Sequence, residues 1–200
     1  MVEKVLDKVF DNYRERYIKI LDVLYPAKGS TGFTERNQSV NYSKAMEELY
    51  PSTVTWFEFQ FGDENNKHID AVIINPELQT IFIIEAKRFS LVKKKTKSIG
   101  DDILRIEVFA KEFIERMPNF AGYSLQGVIL ADVWTEAERK IKIKEAFENK
   151  NFLKTCLSSG EQKLADEEVH YNVTGFENTP HECVNKNYYL LGMTWDLSGN

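Results

Sequence analysis

The segment Ile69–Lys87, IDAVIINPELQTIFIIEAK, contains two apolar runs joined by a short polar connection. Residues 69–74 and 80–86 are rich in β-branched and aromatic side chains, which favours strands. The five residues between them fit the loop of an antiparallel hairpin. Each run carries one acid, Asp70 near the start of the first and Glu85 near the end of the second. The segment therefore predicts a buried hairpin with two carboxylates where its strands meet.

Further helices and strands are predicted on both sides of this hairpin. Apolar residues recur at three- and four-residue steps in the predicted helices and alternate in the predicted strands. Before residue 135 the predicted elements are a helix over 2–24 that ends before Pro26, a helix capped by Thr34 that reaches Leu49, strands over 53–61, 69–74 and 80–86, a helix opened by a capping box at Ser98 and Asp101 and closed before Pro118, and a strand over 123–131. Later elements are helices over 136–147 and 152–157 and strands over 168–176 and 188–194.

The order of these elements defines the expected fold class. A helix, three strands, a helix and a fourth strand, preceded by one more helix, give an α/β core with a mixed sheet flanked by helices. We expect one domain, because 200 residues suffice for a single hydrophobic core. The core spans about residues 34–131, and about residues 135–200 form a C-terminal α/β extension.

The acidic balance of the chain limits how it can bind a polyanion. Lys and Arg number 26 against 31 Asp and Glu, which gives a formal net charge of −5. A nucleic acid must therefore meet a local basic patch rather than a uniformly basic surface. The one conspicuous basic run predicts either a solvated loop or a nucleic-acid contact. The run comprises Arg88, Lys93, Lys94, Lys95 and Lys97.

Cysteine use and hydropathy give no sign of export or of a membrane. Cys156 and Cys183 are far apart and lack the spacing of a zinc site. Charged residues such as Lys4 and Asp7 interrupt the apolar residues of the N-terminal segment, so that no signal peptide is predicted. No apolar run approaches the length of a membrane span. We therefore expect a cytoplasmic protein without membrane contact.

The two carboxylates of the hairpin need partners. Burying an acid in an apolar strand is costly unless the acid is paired or holds a metal ion. If the faces of the two strands coincide, Asp70 and Glu85 converge, and a divalent cation would satisfy both. Mg²⁺ suits such a pair, because it takes one or two carboxylates, keeps several waters and accepts phosphate oxygens. Lys87 would point into the same pocket, where it can orient or help deprotonate an attacking water.

These residues carry a resemblance to a known family. Ile69-Asp70, followed by the run Ile83-Ile84-Glu85-Ala86-Lys87 on the adjacent strand, resembles the PD-(D/E)XK or restriction-endonuclease-like nucleases, with Ile69 in place of the family's Pro. The resemblance implies a core of order α-β-β-β-α-β. It also implies that Asp70, Glu85 and the carbonyl of Ala86 bind Mg²⁺ or Mn²⁺ and that Lys87 serves catalysis. The expected activity is metal-dependent hydrolysis of phosphodiester bonds in nucleic acid, with DNA as the expected substrate.

Such nucleases often carry a further acid on the helix before the strands, and helical phase selects a candidate. At about 100° per residue, Glu35 falls on the stripe that should face the sheet, whereas Glu47 and Glu48 fall off it. We therefore prefer Glu35 as the third catalytic acid and a possible metal ligand. The alternative is that Glu35 faces water and complements the helix dipole. The polar residues Asp102, Arg105 and Glu58 could also approach the site or be solvated.

Other interpretations of the sequence stay open beside the nuclease. The fold could be catalytically silent and serve as a nucleic-acid or protein interaction module, and the negative net charge is compatible with that. A homodimer would suit cleavage of both DNA strands. Exposed aromatic residues can stack on bases, although they belong more often to a core. The candidates are Trp56, Trp134 and Trp195.

Overall fold

Where the structure describes the chain, the fold is an α/β arrangement in which six α-helices flank one mixed sheet. A computed structural model describes residues 2–24, 34–60, 68–157, 163–177 and 179–198. Among these residues the helices are α1 (Val2–Leu24), α2 (Glu35–Leu49), α3 (Val92–Arg116), α4 (Glu138–Glu148), α5 (Phe152–Cys156) and α6 (Glu182–Asn187). The strands are β1 (Val54–Phe59), β2 (Ile69–Asn75), β3 (Thr80–Arg88), β4 (Ser124–Trp134), β5 (Val169–Gly175) and β6 (Tyr188–Asp196).

The six strands form a single sheet in the order β1-β2-β3-β4-β6-β5. β1, β2 and β3 form an antiparallel meander. β3 and β4 pair in parallel, and α3 makes the crossover that parallel neighbours require. The predicted order of a helix, three strands, a helix and a strand is thus found in α2 to β4. The C-terminal strands continue the same sheet, because β6 pairs with β4 and β5 with β6, both antiparallel.

Each face of the sheet has its own apolar layer. One face, called the α3 face here, packs against α3, α4 and α5 and contains Ile83 of β3 and Ile129 of β4. The opposite face, called the α1 face, packs against α1, α2 and α6 and contains Ile84 and Leu130. Strand alternation sends neighbouring residues to opposite layers. Both faces of β3 and β4 are therefore buried, and polar side chains on these strands must find partners inside the protein.

The start predicted for one helix was wrong, and another helix was not predicted from the sequence. α3 begins at Val92, six residues before the predicted capping box, and the hydroxyl of Ser98 donates to the carbonyl of Lys95 at 2.9 Å instead of capping the helix. The reason is that the buried stripe of Ile99 and Ile103 continues backward through Thr96. The run Lys93–Lys97 therefore forms the start of a helix rather than a loop. α6 was not predicted at all.

The regular alternation predicted for the strand over 53–61 is broken within β1. Phe57 packs in the α1-face layer, whereas Phe59 packs in the α3-face layer. The residue between them, Glu58, has a φ of 52°, a left-handed conformation that breaks the alternation of the strand. Phe61, the last residue of that predicted strand, lies outside the described residues. So does Pro26, before which the first helix was predicted to end.

Across the described parts of the chain, no helix combines the length and the apolarity that a membrane crossing needs.

Candidate active site

The candidate site lies at the end of the hairpin where β2 begins and β3 finishes. The paired register of these strands ends at Ala71 and Ile84, so Asp70 and Glu85 come next at the opening. The carboxylate of Asp70 accepts a hydrogen bond of 2.7 Å from the backbone N–H of Ala86. This side-chain bond takes the place of further strand pairing. It holds one carboxylate directly beside the strand that carries the other.

Glu85 lies in a network of ion pairs with α3. The side chain of Glu85 is only 3% exposed, and its Oε1 accepts a hydrogen bond of 3.0 Å from Nε of Arg105. Nζ of Lys87 lies 3.7 Å from Oε2 of Glu85 and 2.9 Å from Oδ2 of Asp102. Arg105 also contacts Asp102. Glu85 and Lys87 therefore project to the α3 face and meet one acid and one base from the helix.

Burial and neighbouring charges make this group of acids hard to ionise together. Burial raises the pKa of Glu85 to about 8, the charge of Asp70 adds to the rise, and Arg105 opposes it. Burial also raises the pKa of Asp70, against the hydrogen bond from Ala86 and the charge of Lys87. The negative charge of Asp70 thus acts on Glu85 across the opening. A bound cation would relieve this repulsion.

Lys87 remains a cation in this environment. Burial acts to lower the pKa of Lys87, but the charge and hydrogen bond of Asp102 and the charges of Glu85 and Asp70 outweigh it and raise the pKa. A protonated ammonium cannot accept a proton from water. A Lys87 side chain that stays protonated can stabilise negative charge that develops nearby.

Glu35 lies close to Asp70, at the start of α2. The two residues line one cavity of about 210 Å³ together with Arg36, Ser39, Phe57 and Glu58. Oε1 of Glu35 accepts bonds from Nζ of Lys95 at 2.5 Å and from the backbone N–H of Arg88 at 3.1 Å. Glu58, whose backbone is left-handed, also lines this cavity. Glu47 and Glu48 pair elsewhere, with Lys44 and with Arg16.

The predicted basic run is divided by the structure. Lys93, Lys94 and Lys97 are exposed on the first turns of α3. Lys95 is the partner of Glu35, and Nε of Arg88 lies 3.8 Å from a buried carboxylate, Asp132. The three exposed lysines are the part of the run that can meet a polyanion.

The tryptophans that could stack on bases differ in exposure. Trp56 on the outer strand β1 is 65% exposed, whereas Trp195 is buried. Trp134 is half-buried and packs against Tyr188 with ring centroids 4.9 Å apart. Trp56 alone among the three presents most of its surface to solvent.

The carboxylates suit a hard divalent ion in their chemistry. Asp70 and Glu85 supply two oxygen-donor groups, and Mg²⁺ commonly binds proteins through one or two carboxylates and several waters. Among the described residues, however, no group of three or more His, Cys, Asp or Glu is arranged to hold a metal ion. Arg105 and Lys87 already contact Glu85. The donor set therefore fits a site with two carboxylate ligands. Arg105 and Lys87 would have to move away from Glu85 when the ion binds.

Sequence reasoning missed a buried polar group at the end of the neighbouring strand. Asp132 of β4 is fully buried and contacts Gln38 and Tyr188, which are also fully buried. A signal was present, because Asp132 interrupts an apolar strand just as Asp70 does.

Comparisons with known proteins give no match: no protein-family model, no curated protein and no solved structure is significantly similar to this chain.

Proposed function

We propose that this protein is a metal-dependent nuclease with a restriction-endonuclease-like core that hydrolyses phosphodiester bonds in DNA. The observation that carries the proposal is the convergence of Asp70, Glu85 and Lys87 at the open end of one hairpin. The element order from α2 to β4 supports it, since it is the order expected of that core.

Asp70 and Glu85 would hold Mg²⁺ or Mn²⁺, and the carbonyl of Ala86 is the third expected ligand. A bound ion supplies Lewis-acid polarisation of the phosphate and a more acidic water. Lys87 contributes a positive charge beside the carboxylates, where it offsets the charge that develops on the phosphate in the transition state. Glu35 lines the same cavity as Asp70, and in this proposal it would bind a water or support the ion.

The exposed start of α3 is the proposed DNA contact. Lys93, Lys94 and Lys97 give a local positive surface on a chain whose net charge is −5. α3 also carries Asp102 and Arg105, so the same helix connects this surface with the carboxylates. Backbone phosphate contacts of this kind hold DNA in place without reading its sequence.

The test is cleavage of plasmid, linear duplex, single-stranded DNA and RNA with Mg²⁺, Mn²⁺ or EDTA. Asp70→Asn, Glu85→Gln and Lys87→Met should each lower the rate by about 10²- to 10⁴-fold, the range typical of a lost catalytic group. Glu77→Gln is the matched control, because Glu77 lies at the opposite end of the same hairpin and bonds to Ser52. Cleavage that survives Asp70→Asn and Lys87→Met would overturn the proposal, as would a wild-type protein that cleaves none of these substrates.

A silent interaction module is the second candidate, and one observation favours it. The cations Arg105 and Lys87 already contact Glu85, so the carboxylate is compensated without a metal ion. Calorimetric titration with Mn²⁺ separates the two functions. A nuclease site should bind the ion in the wild type and lose binding in Asp70→Asn, whereas a silent module should bind none.

A further inference from the structure

The end of β3 that carries the candidate site is not paired with β2. Its register with β2 stops at Ile84, while its register with β4 continues to Arg88, opposite Asp132. The segment from Glu85 to Arg88 is therefore paired by strands on one side alone. A strand end of this kind is expected to fray unless side chains satisfy its backbone.

Side chains from β2 and α2 bind this segment instead. Asp70 accepts from the N–H of Ala86, and Glu35 accepts from the N–H of Arg88. Nε2 of Gln38 donates to the carbonyl of Lys87 at 2.8 Å. Of these three side chains, Gln38 is the neutral one, and it is fully buried.

Gln38 is itself held by a second buried group. The same Nε2 donates to Oδ1 of Asp132 at 3.1 Å, so that both amide hydrogens of Gln38 have acceptors. The other carboxylate oxygen of Asp132 accepts from the hydroxyl of Tyr188 at 3.0 Å. The backbone carbonyl of Asp132 accepts from the N–H of Phe89 at 3.0 Å. Asp132 thus fixes the orientation of the amide that holds Lys87.

We propose that Gln38 and Asp132 are positioning residues that hold the end of β3 so that the side chain of Lys87 stays beside Glu85. This inference rests on the proposed nuclease function. The two residues lie on the α1 face, whereas the ammonium of Lys87 lies on the α3 face. They act through the backbone of Lys87 and do not touch the reacting groups. A small displacement of a reacting group can lower a rate by about 10²-fold.

Gln38→Met tests the bond to Lys87, because methionine has a similar volume and no donor. We expect kcat to fall at least about tenfold, while KM and the Kd of Mn²⁺ change by less than about twofold. Gln126→Met is the matched control, since Gln126 is a buried glutamine of β4 near the opposite end of that strand from Asp132. The control should keep the wild-type kcat. A wild-type kcat in Gln38→Met would overturn the inference.

Two variants of Asp132 keep the inference testable if Gln38→Met does not fold. Asp132→Asn retains an oxygen acceptor for Gln38, whereas Asp132→Ala removes it. We expect Asp132→Asn to keep kcat within about threefold of the wild type and Asp132→Ala to lose at least about tenfold. Equal kcat values in the two variants would contradict a positioning role.

Amide hydrogen exchange separates a failure of this inference from a failure of the nuclease function. If the wild type cleaves no nucleic acid, the nuclease proposal fails, but the bonding can still be measured. Gln38→Met should accelerate exchange of the Arg88 and Phe89 amides at least about tenfold, and Gln126→Met should not. Unchanged exchange in Gln38→Met would show that the end of β3 is held without Gln38.

Discussion

Two buried acids, Glu85 and Asp132, stand near the same ends of adjacent parallel strands and have opposite surroundings. Glu85 is 2% exposed on β3 and meets Arg105, Lys87 and the charge of Asp70 on the α3 face. Asp132 is 0% exposed on β4 and accepts hydrogen bonds from two neutral donors on the α1 face, with Nε of Arg88 3.8 Å away. Burial alone does not distinguish them. The kind of partner does.

This difference determines whether a metal ion can replace the partners of each acid. The partners of Glu85 are the cations Arg105 and Lys87, whose side chains are 30% and 14% exposed, and a metal ion can replace them in charge. The hydrogen-bond donors to Asp132 are an amide and a phenol held by the packing of α2 and β6, and Arg88 adds a more distant positive charge. Replacing these donors by an ion would leave the buried amide and phenol without an acceptor, which is costly. We therefore expect Glu85 to respond to metal and Asp132 to set the geometry of its surroundings.

The largest expected effect concerns the stability of Asp132→Asn against pH. Burial raises the pKa of Asp132 from 3.8 to about 7, and the charge of Arg88 opposes the rise. Because the folded pKa is raised, the stabilisation by the bound proton is complete below pH 4 and is lost as the pH rises to about 7. At pH 8 the free energy of unfolding of Asp132→Asn should therefore exceed that of the wild type by about 2 to 4 kcal/mol. At pH 4 the two free energies should be equal. Urea denaturation at both pH values measures the difference.

The interpretation of this measurement depends on which groups around Asp132 carry a charge between pH 4 and pH 8. Arg88 from β3 and Glu35 from α2 act on it by charge, while Tyr188 from β6 and Tyr13 and Tyr17 from α1 remain neutral at these pH values. A stability difference that does not change between pH 4 and pH 8 would mean that Asp132 is ionised as easily as an exposed acid. The proposed difference between Asp132 and Glu85 would then lose its support.

The next effect is stabilisation by metal. Mn²⁺ at about 100 times its Kd should stabilise the wild type by about 2.7 kcal/mol, because only the folded chain offers the site. Glu85→Gln should abolish this gain and Asp132→Asn should retain it. Thermal unfolding with and without Mn²⁺ measures both. Loss of the gain in Asp132→Asn would show that the two acids act as one metal site.

Much of the fold could be predicted from local pattern. The hairpin of β2 and β3 was found because apolar runs with a short polar connection favour strands wherever they occur. The start of α3 was missed because the lysines at 93–95 conceal the apolar stripe that continues to Thr96. The φ of Glu58 was beyond prediction, since a left-handed conformation is uncommon for any residue except glycine.

The candidate site could be predicted in part, for a similar reason. Asp70 and Glu85 were selected because an acid in an apolar strand needs a partner, and strand register brings them to one opening. The pairing of Glu85 with Arg105 depends on how α3 lies across the sheet, which periodicity does not determine. Gln38 looks like any polar helix residue in the sequence. Only its packing against β3 and β4 reveals its bonds.

The smallest expected effect compares the arginines beside the two acids. Arg105→Gln removes a cation that competes for Glu85, and it should tighten Mn²⁺ binding about two- to fivefold, the size of a partly exposed ion pair. Arg88→Gln is the matched variant beside Asp132 and should leave the Kd of Mn²⁺ unchanged. Calorimetric titration of both variants at one pH measures the difference. Weaker Mn²⁺ binding in Arg105→Gln would mean that Arg105 orients Glu85 for the ion rather than competing with it. Arg105 and Arg88 would then have the same role, each positioning the carboxylate beside it.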